Sequence, residues 1–192
     1  MFKVLVEGCR AVGKTTLCNN LIAQGVVSFY RERFELNADF LPPETEEEFE
    51  AQQQWYIARE IPFWKSLDIL SDGIGLVIAS PETLDFYTRY YSSAYEKNWT
   101  LNSKTMDWLN VLSQHRSDLV IYLTAQDDAI IQRMENDERK RPAFWDYFIH
   151  WQKLNQNYYT GCKNVEFIDT THLSTQQVCA VVMHKLRARG VI

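Results

Sequence analysis

Residues 8–15 read Gly-Cys-Arg-Ala-Val-Gly-Lys-Thr, the pattern GxxxxGK[ST]. An apolar run at 2–6 precedes them, and a helical pattern at 15–23, stopped near Gly25, follows. Few folds accommodate that arrangement. Glycines let the backbone wrap closely enough for its N–H groups to face an anion's oxygens, and the helix behind aims its positive end at the same point. The pattern therefore predicts a phosphate cradle between a buried strand and a helix, formed by Gly8, Cys9, Arg10, Ala11, Val12, Gly13, Lys14, Thr15 and Thr16. Lys14 supplies charge to the outer phosphates of a nucleoside triphosphate such as ATP, and the Thr15 hydroxyl suits Mg²⁺.

The rest of the chain is consistent with one domain over residues 1–192. Further apolar runs at 26–30, 75–79, 118–124 and 164–169 read as strands. Helical patterns stand between them, at 44–70 with Pro62 expected to kink or break it, 102–115, 127–135, 143–159 and 175–189. Residues 80–99 read as a loop followed by a helix. Alternation of this kind predicts an α/β, three-layer P-loop fold with a five-stranded, mostly parallel sheet, its ligands at the carboxyl ends of the strands. A net charge of -5 speaks against general attraction to nucleic acid or an anionic membrane. No apolar run approaches the roughly 20 residues a bilayer span needs. Four cysteines without metal spacing read as reduced thiols, and a start leading straight into a phosphate motif does not read as a signal peptide. The expected location is therefore cytoplasmic.

Glu7-Gly8 followed by Gly13-Lys14-Thr15-Thr16 resembles the opening of thymidylate kinases and deoxynucleoside kinases, which share a fold and differ in whether the acceptor is a nucleoside monophosphate or a nucleoside. Arg10 is similar to the loop arginine of some thymidylate kinases, displaced by one place, and the resemblance implies a role on the transferring phosphoryl group. Both families carry Glu or Arg-Glu after the second strand, matched by Arg31-Glu32. A carboxylate there takes the acceptor proton or orients the sugar, and Arg31 or Arg33 offers a fork for an acceptor phosphate. The same run also reads as ordinary solvated charge. Trp55 and Arg59 resemble the aromatic-plus-arginine helix of thymidylate kinases. Spacing of four places both on one helix face, for stacking on a base and reaching an oxygen or phosphate. Gln52, Gln53 or Gln54 offers an amide to the base edge. Residues 80–95 resemble a substrate segment of both families, implying acceptor roles for Glu82, Arg89 and Tyr95, with Thr88 where the families have aspartate. Ser80 ends the third strand where P-loop enzymes place an acidic group near Mg²⁺, which leaves Glu82 or Asp85 to compensate.

Arg133, Arg139 and Arg141 fall in a charged break after the fourth strand, where the resembling kinases carry a short arginine-rich lid, here about 133–145. Cations closing over a phosphoryl group in transfer lower its barrier. Asp169-Thr170-Thr171 borders the adenine pocket by position. The leading expectation is ATP- and Mg²⁺-dependent phosphoryl transfer to a small nucleotide or nucleoside, most like thymidylate kinase. Kinases of this kind often dimerise through helices, which makes a homodimer one candidate state; the sequence itself does not specify the oligomer. Two alternatives stand beside it: a kinase acting on a modified base or an end in DNA, and a nucleotide-binding regulatory protein without catalysis.

Overall fold

The computed structural model describes residues 1–32, 41–69, 72–136 and 151–192. Five strands, β1 (Phe2–Gly8), β2 (Phe29–Arg31), β3 (Ile74–Val77), β4 (Leu119–Thr124) and β5 (Val165–Asp169), form one sheet in the order β2-β3-β1-β4-β5. Every pairing is parallel. Seven α-helices are described: α1 (Lys14–Ala23), α2 (Glu46–Asp68), α3 (Pro81–Ala94), α4 (Ser103–Leu112), α5 (Asp127–Glu135), α6 (Gln152–Thr160) and α7 (Thr175–Ala188). None is long and apolar enough to cross a membrane.

Alternate strand residues serve opposite cores, as the two-residue period of a strand demands. Val4, Val6, Leu119, Ile121 and Leu123 pack with Leu17 and Leu21 of α1 and with Val182 and Leu186 of α7. Leu5, Val77, Val120 and Tyr122 pack with Ile57 and Trp64 of α2, Leu109 and Leu112 of α4, and Tyr159 of α6. The result is the expected three-layer sandwich. A third cluster, Phe49, Phe86, Tyr91, Ala94 and Trp151, joins α2 and α3 to the residue that precedes α6.

The boundaries differ from the sequence reading where side chains override pattern. The second strand lies at Phe29–Arg31 rather than 26–30. The long helix starts at Glu46 because Thr45 caps it, its hydroxyl accepting the Glu48 N–H while Glu48 reaches back. It then runs through Pro62 without ending. Pro62 and Ala58 are both exposed, so water can bond the carbonyl that proline leaves without an N–H, while Ile57, Trp64 and Leu67 bury the other face. Ser80 caps α3 directly, with Pro81 at its first position, so no loop precedes that helix.

β1 sends the chain across β3 to β2, whereas its other neighbour β4 sends it to β5. The two connections part at the carboxyl ends of β1 and β4, which opens a crevice there. The phosphate motif follows β1 directly into that crevice.

Candidate active site

Gly8 has φ 136, and a Cβ there would overlap the Leu123 carbonyl oxygen of β4, so only glycine lets the loop leave the sheet at this point. Gly13, φ 103, caps α1 without a side-chain bond, and the first turn of α1 carries no acidic residue. The helix's leading N–H groups thus remain available to an anion. The Lys14 ammonium folds back over the loop, donating to the Gly8 carbonyl at 2.6 Å and the Cys9 carbonyl at 2.8 Å. Cys9 is buried, and burial pushes its thiol up to about 11, which makes it a packing residue.

Glu32, one residue past β2, accepts the Thr15 hydroxyl at 2.9 Å. This unites the proposed metal hydroxyl with the proposed acceptor carboxylate. Thr15 and Glu32 are hard oxygen donors, as Mg²⁺ requires, and among the described residues no group of three or more His, Cys, Asp or Glu forms a metal cage. Two protein oxygens with the rest supplied by phosphates and water is how Mg²⁺ is commonly held in such sites, so the residues fit. Bound there, the ion would neutralise charge on the outer phosphates.

Arg31 turns the other way. Its two terminal nitrogens donate to both Glu60 oxygens at 2.6 and 2.8 Å, and its guanidinium lies 4.1 Å from the Phe63 ring centre. Arg33 lies outside the described residues. Arg59 stacks on Trp55 at 4.7 Å. Two residues along a helix rotate it by roughly 200°, so Trp55 points away from the side where buried Gln53 meets Thr88 of α3. The three glutamine amides are engaged: Gln52 with the Leu41 carbonyl, Gln53 with Thr88, Gln54 with Thr105.

Glu82 and Asp85, the carboxylates considered for the end of β3, both hold protein partners. Glu82 is buried, with its pKa raised by desolvation, and accepts the Ser117 N–H at 2.6 Å. Asp85 accepts from Arg89 at 2.6 Å, Tyr158 at 2.9 Å and Arg116 at 3.3 Å. Arg89 lines a cavity of about 540 Å³ with Phe49, Trp99 and Met106. The Tyr95 hydroxyl accepts the Trp151 indole N–H at 3.3 Å. Arg133 bonds the Thr170 hydroxyl and carbonyl, at 3.1 and 2.6 Å, and that hydroxyl also reaches the Val12 carbonyl at 3.4 Å. The Asp169-Thr170-Thr171 turn therefore touches the loop. Arg139 and Arg141 lie outside the described residues.

One residue that the motif reading quoted beside Gly8 but gave no role stands at the loop's root. Glu7 is buried, accepts the Gly8 N–H at 2.9 Å, and takes the hydroxyls of Thr83 at 3.2 Å and Tyr159 at 3.3 Å. Its one sequence signal was its position before Gly8.

No family model and no curated protein matches the chain. Solved structures do. Thymidylate kinase from Candida albicans superposes with a TM-score of 0.60 at 14% identity, covering 99% of this chain and 92% of that one. Deoxyadenosine kinase from M. mycoides with bound dATP gives a TM-score of 0.66 at 17% identity, covering 97% and 100%. The same enzyme with dCMP and a flexible dCDP gives 0.64 at 15%, again covering 97% and 100%. At these identities the likeness establishes a shared fold over nearly the whole chain.

Proposed function

We propose that this chain transfers a phosphoryl group from ATP, with Mg²⁺, to a small nucleoside or nucleoside monophosphate. The observation that carries the proposal is the Thr15–Glu32 contact, which sets an acceptor-side carboxylate against the donor-side phosphate loop. Phosphoryl transfer uses a carboxylate in such a place to orient the acceptor hydroxyl or take its proton, and beside Thr15 the same carboxylate also suits Mg²⁺. Lys14, Arg10 and the α1 N-terminus hold the triphosphate in this scheme, and Arg133, Arg139 and Arg141 close over it. Likeness of fold to thymidylate and deoxyadenosine kinases supports the same reading.

Within this class a nucleoside is favoured over a monophosphate. Arg31, the described arginine adjoining Glu32, has its fork on Glu60 rather than presented to an acceptor phosphate. The test is transfer from labelled ATP to a panel of nucleosides and nucleoside monophosphates, with a DNA substrate alongside. Transfer to a nucleoside is the expected outcome; transfer to DNA alone, or to no acceptor despite ATP binding, overturns the proposal. Glu32→Gln is expected to lower kcat about 10- to 100-fold and to raise the Mg²⁺ concentration that half-maximal transfer requires, both read in the same assay.

A further inference from the structure

Glu7 is a carboxylate buried beneath the phosphate loop, and three separate parts of the chain bond to it. One oxygen takes the Gly8 N–H, the first peptide of the loop. The other takes Thr83, in the first turn of α3, and Tyr159, near the end of α6. α3 follows β3 on the acceptor side, and α6 follows the segment expected to form the lid. We propose that Glu7 is a positioning residue for phosphoryl transfer: its carboxylate sets the phosphate loop in register with α3 and α6, and so fixes where Lys14 presents its ammonium. This rests on the kinase reading given above.

The setting of this carboxylate supports a functional role over simple packing. Gly8 links the carboxylate to the ammonium, its N–H donating to Glu7 and its carbonyl accepting from Lys14, and burial raises the Glu7 pKa while the Lys14 charge acts the other way. Folding therefore retains a desolvated acid at a place where a neutral amide would carry no such cost. The bond geometry is also one that an amide could satisfy. Glutamine's oxygen would still accept the Gly8 N–H, while its NH₂ would donate to the Thr83 and Tyr159 oxygens once those hydroxyls rotate. Glu7→Gln thus removes charge and keeps shape.

The experiment measures ATP binding at equilibrium, steady-state transfer and Tm for wild type, Glu7→Gln, Tyr159→Phe and the double variant. Glu7→Gln is expected to lower kcat about tenfold, with KM for ATP and for acceptor each within about threefold, and a Tm at or above wild type. Tyr159→Phe should lower kcat in the same direction. The double variant should be no slower than Glu7→Gln alone, because both act through one carboxylate. Wild-type kcat in Glu7→Gln overturns the proposal. So does a fall in kcat that tracks a fall in Tm, or strict additivity in the double variant. If wild type binds ATP and transfers phosphate while Glu7→Gln behaves identically, the positioning role fails and the kinase reading stands. If wild type neither binds nor transfers, the kinase reading fails and this proposal falls with it.

Discussion

Lys14→Ala is expected to lower phosphoryl transfer about 10²–10³-fold while the protein remains folded. In the proposed reaction the transferring group spreads negative charge over its outer oxygens, and Lys14 is the loop's own cation for them. A factor of that size corresponds to roughly 3–4 kcal/mol of lost transition-state stabilisation. The effect on stability is of a smaller order. Among the described residues the ammonium bonds the Gly8 and Cys9 carbonyls of its own loop. Losing such bonds costs about 1 kcal/mol each at most, because water can replace the ammonium at a partly exposed loop. The measurement is single-turnover transfer beside urea unfolding. Turnover within threefold of wild type would remove Lys14 from the chemistry and with it the donor half of the proposal.

The loop after β1 was legible because its signal is local. Two glycines, a lysine and a hydroxyl within eight residues specify a loop, and the flanking apolar and helical patterns specify where it sits. Strand alternation likewise revealed a three-layer parallel sheet, since strands covered on both faces must be continuously apolar. The surroundings of the loop were less legible because their contacts are long-range. Glu7 meets Tyr159 across 152 positions, and Glu82 meets Ser117 across 35. No spacing rule distinguishes a carboxylate that faces a crevice from one that holds an N–H inside the fold. The pairing of Trp55 with Arg59 was visible as a four-residue step, but the side of α2 they occupy depends on which residues meet α3, and that is set by Gln53 and Thr88. Short-range signals were underused in two places. Thr45 with Glu48 is a capping box and Ser80-Pro81 a helix start, and each would have fixed a boundary.

The other large effect expected is on stability, at the Arg31–Glu60 pair. Glu60→Ala should destabilise the fold by about 3–5 kcal/mol, the usual cost of removing one partner from a buried ion pair. The Glu60 side chain is 5% exposed and that of Arg31 14%, so water screens neither well. Glu60 also accepts the Trp64 indole N–H at 2.9 Å, so its loss takes an acceptor from two donors in one step. Replacing both charges with methionine should recover most of the loss, because an apolar pair of similar volume incurs no desolvation cost. Urea unfolding of the single and double variants decides this, with an unchanged m-value showing that stability rather than denatured-state compactness has moved. A loss below about 1 kcal/mol in Glu60→Ala would mean that the pair is solvated and carries no structural weight. Transfer adds a second readout. Glu32 follows Arg31 directly, and the fork on Glu60 holds the end of β2 where Glu32 meets Thr15. Glu60→Ala should therefore lose activity along with stability, and the double variant should regain stability ahead of activity. Lys14→Ala does the reverse, losing activity with the fold intact. That opposition separates a residue that acts on the phosphates from a pair that keeps the acceptor carboxylate in place.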